Sequence, residues 1–183
     1  MHADDLTAAL ILIAVVFALL LAFLVRRRKL TEPSAWLARS CRAMLSNVLV
    51  PDGEGGEIHI EHALLCSRGI VLINLKEIDG NVFGSDTMHE WAVITGKSRF
   101  TFSNPQDGLY DRLAAVKRLT PDIPVHGFIA FSKTATFSKG VPAHVVMFDE
   151  LLTDLGNEHN RGNPMLEAWL PEWESLKSSS VPA

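Results

Sequence analysis

Cysteine is nearly missing from this chain. Cys41 and Cys66 are its two, too far apart for a C-x-x-C or zinc-ligand spacing. A disulfide-stapled secreted fold is therefore disfavoured, and reduced thiols in a reducing compartment are the plain reading. The chain also has no phosphate-binding glycine loop, no nucleophile elbow and no internal repeat, so it lacks the signatures of P-loop, serine-hydrolase and solenoid architectures. Positive charge is scarce as well. The formal net charge is −4, and removing residues 1–32 leaves 13 Lys and Arg against 18 Asp and Glu, near −5. Neutralising phosphates supplies most of the affinity of a nucleic-acid binder, so this composition argues against tight DNA binding.

What the chain has in excess is apolar sequence: of 183 residues, 48% are hydrophobic and 21% charged, which suits one globular domain plus an apolar segment. That segment is Leu6 to Val25, twenty residues without a formal charge. At about 1.5 Å per helical residue it spans about 30 Å, the thickness of a bilayer's hydrocarbon core. Asp4 and Asp5 precede it and Arg26-Arg27-Arg28-Lys29 follow it, the reverse of a signal peptide, and no small-x-small cleavage site ends it. The expectation is a single-pass transmembrane helix in the cell inner (plasma) membrane. By the positive-inside rule, residues 1–5 lie outside and everything after the basic run is cytoplasmic. Residues 26–34 form a basic juxtamembrane link, able to touch anionic headgroups.

The centre of the remaining sequence is Gly56 to Lys76, GEIHIEHALLCSRGIVLINLK. Residues 57–65 and 70–76 are rich in Ile, Val and Leu, and Cys66-Ser67-Arg68-Gly69 supplies a turn, so the stretch predicts an antiparallel hairpin. Closing that turn sets Leu65 opposite Ile70, Ala63 opposite Leu72 and Glu61 opposite Asn74. Lys76 repeats on the face of Asn74, because side chains alternate along a strand. One carboxylate, one amide and one ammonium are thereby predicted together near one end of an apolar hairpin, with Glu61 and Lys76 meeting across the two strands. Strict alternation would put Glu57, His59 and Glu61 on one face and Ile58, Ile60 and His62 on the other.

These residues resemble the NERD family (nuclease-related domain), a branch of the PD-(D/E)XK, restriction-endonuclease-like nucleases. The resemblance rests on Ile60-Glu61-His62, on Ser67-Arg68-Gly69-Ile70-Val71, and on Ile73-Asn74-Leu75-Lys76 followed by Gly80. It extends to Asn47-Val48, Trp91, Phe102-Ser103-Asn104-Pro105, and Val125-x-Gly127-Phe128-Ile129-x-Phe131-Ser132, over roughly residues 35–155. The family's usual residues are an aspartate at the Glu61 position and a glutamate at the Asn74 position, which hold a divalent metal, usually magnesium. Its lysine orients or activates the attacking water. The resemblance thus implies Glu61, Asn74 and Lys76 as catalytic-site residues and Glu61 as metal ligand. Glu61 keeps the charge on a longer arm, whereas Asn74 removes one anionic ligand from a site whose hard cation prefers carboxylate oxygens. Magnesium is then expected to be held weakly. Glu77 and Asp79 offer a substitute carboxylate only through a bulge or twist. The family's glutamine, about one helical turn after Asn-Pro, is displaced here to Gln106.

Around the hairpin, residues 35–45 suit an amphipathic helix and Val48 to Val50 a short apolar run ended by Pro51-Asp52-Gly53. Trp91–Ile94 and Arg99–Phe102 flank a glycine turn as a second hairpin. Asn104 or Ser103 caps a helix with Pro105 at its first position, and Leu109, Leu113, Val116 and Leu119 form its core stripe. Val125 to Ser132 predicts a central strand neighboured by residues 144–148, and Asp149 to Leu155 a short helix. After the polar loop at 156–163, Pro164 to Lys177 predicts a helix kinked at Pro171, with Trp169 and Trp173 on one face. Ser178 to Ala183 predicts a disordered tail. The expected fold class is α/β: a restriction-endonuclease-like mixed sheet flanked by helices, behind one N-terminal transmembrane helix.

Three functions follow. A catalytically degenerate nuclease fold, binding nucleic acid or protein without cutting, is the first choice because of Asn74. An active magnesium-dependent nuclease using Glu61 and Lys76 is the second, with DNA as its partner. The third is a membrane-anchored protein-interaction module unrelated to nucleic acid.

Overall fold

A computed structural model describes residues 33–156 and 163–183. The expected transmembrane helix at Leu6–Val25, its basic flank and most of the polar 156–163 loop lie outside those residues. Among the described residues, no helix is long and apolar enough to cross a membrane. The α/β fold lies within the unit Leu37–Ala183.

A short helix, α1 (Pro33–Arg39), leads into three consecutive antiparallel strands: β1 (Ala43–Pro51), β2 (Glu57–Cys66) and β3 (Gly69–Lys76). Next come β4 (Gly80–Phe83), β5 (Glu90–Thr95) and β6 (Ser98–Ser103), then helix α2 (Pro105–Leu119). Strand β7 (Val125–Phe131) is followed by β8 (Ala135–Thr136), β9 (Val145–Met147), α3 (Phe148–Gly156), α4 (Pro164–Ser178) and β10 (Val181–Pro182). One sheet runs β10-β1-β2-β3-β7-β9, with β3, β7 and β9 parallel, and the other runs β6-β5-β4-β8. The sheets are mixed, as an α/β assignment requires.

Side-chain alternation divides the core. Ile70 and Leu72 face Ala115, Val116, Leu166, Trp173 and Leu176 on α2 and α4. Val71 and Ile73 face Leu37 of α1 and Leu151 and Leu155 of α3. A third cluster joins Trp91, Val93 and Val82 of the smaller sheet to Leu109, Ile129 and Phe131. Gly127 lets α2 lie close on β7, since a Cβ there would approach Leu109 Cδ1 to 2.8 Å. Gly69, at φ 117°, closes the β2–β3 turn where a side chain would strike the Pro124 carbonyl.

The hairpin register is the one expected, with Leu65 facing Ile70 and Ala63 facing Leu72. Strict alternation along β2 fails, however. Ala63 and Leu65 enter the α2/α4 cluster, and so do Ile60 and Ile58; on β1, Ala43 and Leu45 are joined there by Val48 and Val50. Both strands change face at one point, where Asn47 takes φ 50° and Glu61 would be its partner. A positive φ turns the strand through a conformation that a sequence pattern does not announce.

Other departures are local. The helix expected over 35–45 ends at Arg39, and Ala43–Leu45 belong to β1, where the pairing partners in β2 outweigh helical spacing. Pro171 sits inside α4 without ending it. The stretch expected as a disordered tail instead pairs Val181 with Leu49 and Pro182 with Val48.

Candidate functional site

The predicted trio occupies the end of β2 and β3 where their ladder stops at the His62–Ile73 pair. In a hairpin joined by the two residues Ser67 and Arg68, hydrogen-bonded pairs alternate, so the next bonded pair would join Ile60 and Leu75. The Glu61 side chain takes that place. Glu61 Oε2 accepts the Leu75 backbone N–H at 3.0 Å and Asn74 Nδ2 at 3.3 Å. A carboxylate only accepts, so the Asn74 amide must turn its nitrogen towards it. Glu61 and Asn74 are both half-buried, where such bonds are worth more than in water.

Lys76 is brought to the same strand end but not into contact with Glu61. No ion pair joins them within 4.0 Å, against the expectation that the two meet across the strands. Its backbone is fixed instead: the Lys76 carbonyl accepts Ser132 N–H at 3.0 Å and Ile78 N–H at 3.1 Å. The second of these bonds spans Glu77, which is exposed, as is Asp79.

Several neighbours carry no signal in the sequence. His62 is buried, and its Nδ1 shares a hydrogen bond of 2.9 Å with Ser46 Oγ across to β1. Burial depresses its pKa below the ordinary histidine value, with Glu61 pulling the other way and His59 adding to the depression. Arg112 of α2 donates from Nε to the His59 carbonyl at 2.7 Å, tying the helix to β2 two residues before Glu61. Gln106 points elsewhere. Its Nε2 donates to Asp86 Oδ1 at 2.7 Å and to the Ala143 carbonyl at 2.8 Å, so it braces loops at the start of α2.

Segments that carry further cations are bonded to the chain just beyond Lys76. Gly80 N–H bonds the Thr134 carbonyl at 3.1 Å, and the Thr95 hydroxyl bonds the Asp79 carbonyl. The segments carrying Lys76, Lys97 and Lys133 are therefore stitched together, although Glu77 and Asp79 lie among them.

Magnesium needs several hard oxygen ligands, and carboxylates supply the charge. The strand end presents one carboxylate, and an N–H donor stands where a second would be. Among the described residues, no three His, Cys, Asp or Glu side chains gather as a metal-ligand group. The donor set at Glu61 does not fit a magnesium centre. An amide facing a carboxylate attracts it, whereas two carboxylates in the same places repel unless a cation lies between them.

A protein-family model described as nuclease-related domain matches residues 29–132, more than half of the chain. No curated protein and no solved structure matches.

Proposed function

The chain belongs to the NERD (nuclease-related domain) family, and on that premise we propose that it is a catalytically degenerate nuclease-fold domain that binds rather than cuts. Divalent metals are common in the family, yet here Asn74 and Leu75 both donate to Oε2 of the strand end's one carboxylate, so Asn74 presents a donor where a second anionic ligand would stand. This observation carries the reading. A nuclease needs a cation to stabilise charge growing on the phosphate and to acidify the attacking water.

The ligand class we propose is nucleic acid, held by its phosphates. The segments carrying Lys76, Lys97 and Lys133 are hydrogen-bonded to one another, and none of the three lysines is ion-paired among the described residues. Because Glu77 and Asp79 lie among these segments and the charge outside residues 1–32 is negative, binding is weak and strongly salt-dependent. Leu6–Val25 anchors the domain as a single-pass helix, with the soluble part cytoplasmic.

A second reading, an active magnesium-dependent nuclease, has one observation in its favour: Glu61 Oε1 makes no hydrogen bond among the described residues and stays open to a ligand. The test is the full chain in detergent micelles, incubated with supercoiled plasmid and Mg²⁺ or Mn²⁺ beside Lys76→Ala and Asn74→Glu. The expected result is intact plasmid with the unmodified chain and retention of DNA at low salt that Lys76→Ala weakens. Nicking by the unmodified chain that Lys76→Ala abolishes establishes the second reading instead. Absence of any retention at low salt moves the partner from nucleic acid to protein.

A further inference from the structure

Among the described residues, strand β6 is the outer strand of the smaller sheet and pairs on one side alone, with β5. The β5–β6 hairpin turns over Gly96 and Lys97, with Thr95 facing Ser98. Bonded and non-bonded pairs alternate from that turn, so Ser98, Phe100 and Phe102 direct their backbone groups at β5, while Arg99, Thr101 and Ser103 direct theirs outward. An open edge of this kind is a template for another strand. Its side chains do little to blunt it. Phe100 is 49% exposed although it faces Val93, a core residue, and Phe102 packs edge-on against Trp91 with ring centroids 6.0 Å apart.

The occupant is decided by charge and by the match of this edge to itself. Facing residues share a sheet face, so Glu90 and Ser103 lie on the outer face together, as do Ile94 and Arg99. Glu90 and Arg99 are both exposed and neither is ion-paired among the described residues. Two β6 strands placed antiparallel about a two-fold axis at Thr101 set Thr101 against Thr101 and Arg99 against Ser103 of the second copy. All three are outward-directed positions, so their backbone groups bond. Phe100 then faces Phe102 of the second copy on the inner face, giving aromatic cross-strand pairs on both sides of the axis. Ser103 is small and Glu90 stands one strand behind it. Arg99 therefore reaches across roughly two strand spacings, about 10 Å between backbones, to Glu90 of the second copy, and the symmetry repeats the pair. The alternative register, Phe100 against Phe100, puts Arg99 opposite Thr101 with Ala92 behind it and leaves both charges unanswered.

We infer that the β6 edge is a homodimerisation surface: a second copy of this chain adds its own β6 antiparallel, centred on Thr101, with reciprocal Arg99–Glu90 pairs. The result is a continuous eight-stranded sheet made from two copies of the four-stranded one. The contact is distant in sequence from the Glu61 strand end and does not depend on what that end does.

Cysteine cross-linking of the full chain in detergent micelles under mild oxidant tests this. In a facing bonded pair the Cα atoms are about 5.5 Å apart, within disulfide range, so Thr101→Cys is expected to form a reducible dimer at least about tenfold faster than Lys139→Cys. The unmodified chain, with only Cys41 and Cys66, sets the background. On the Thr101→Cys chain, adding Arg99→Glu is expected to slow cross-linking several-fold, and adding Glu90→Arg as well to restore it, because the swap re-forms the pairs in reverse. All three positions are exposed, so the fold tolerates the changes. Equal rates at Thr101→Cys and Lys139→Cys, or a charge swap that restores nothing, overturn the proposal.

Discussion

Glu61 and Leu75 are joined side chain to backbone: the carboxylate accepts at 3.0 Å the amide that the neighbouring strand would accept if the ladder continued. The side chain thus serves as the last rung of the β2–β3 pairing. The strand end needs Glu61 for its own hydrogen bonding, quite apart from any ligand.

Removing the acceptor should therefore destabilise the fold. Glu61→Ala leaves Leu75 N–H and Asn74 Nδ2 without their partner, an expected loss of about 1–3 kcal/mol. Glu61→Gln retains an acceptor oxygen and should lose less than half as much. Chemical denaturation of the two variants measures the difference, and equal stability of Glu61→Ala and the unmodified chain contradicts the structural role.

Placing a second carboxylate opposite the first should cost stability when no cation is present. Asn74→Glu replaces a donor with a like charge across a close strand pair, an expected loss of about 1 kcal/mol or more that added salt relieves. Thermal melts in chelator at low and high ionic strength read this directly. A variant as stable as the unmodified chain under both conditions would mean that the two side chains do not face each other.

The hairpin pairing is the part of the fold most legible in the sequence. Two apolar runs around Ser67-Arg68 admit few registers, and the one that buries both faces is the one formed. The start of α2 was equally readable, because Asn104 and Pro105 are the residues such a start demands. The change of face at Asn47 and Glu61 was hidden, since it comes from one backbone angle of 50° in an otherwise ordinary strand. So was the direction of Gln106, whose partners Asp86 and Ala143 are 20 and 37 residues away. The Glu61–Lys76 contact failed for a simpler reason. A register places two residues on one face without fixing where a long flexible ammonium arm points.

Acid should weaken the fold through His62. Its folded-state pKa is lowered, first by burial, so the unfolded chain takes up this proton more readily. Stability is therefore full above the unfolded value, about 6.5, declines as pH falls below it, and stops declining once pH passes the lower folded value. His62→Gln should shrink the stability difference between about pH 7.5 and about pH 5 relative to the unmodified chain. An unchanged difference would show that His62 does not titrate in this way.

The start of α2 should depend on Asn104. Its Oδ1 accepts Gln106 N–H at 2.9 Å and its Nδ2 donates to the Met88 carbonyl at 2.9 Å. Asn104→Ala removes both bonds, an expected loss of about 1–2 kcal/mol, whereas Asn104→Asp keeps the cap and loses only the second. Denaturation midpoints ranking the unmodified chain above Asn104→Asp, and that above Asn104→Ala, are the expected order.

The most direct measurement is Mn²⁺ binding followed by electron paramagnetic resonance, comparing the unmodified chain, Glu61→Gln and Asn74→Glu. Manganese shares magnesium's preference for oxygen ligands and reports its own capture. The expected result is that the unmodified chain and Glu61→Gln bind Mn²⁺ alike, since Glu61 holds none, while Asn74→Glu gains a site. Binding by the unmodified chain that Glu61→Gln abolishes would contradict a Glu61 that serves the hairpin's own hydrogen bonding rather than a metal.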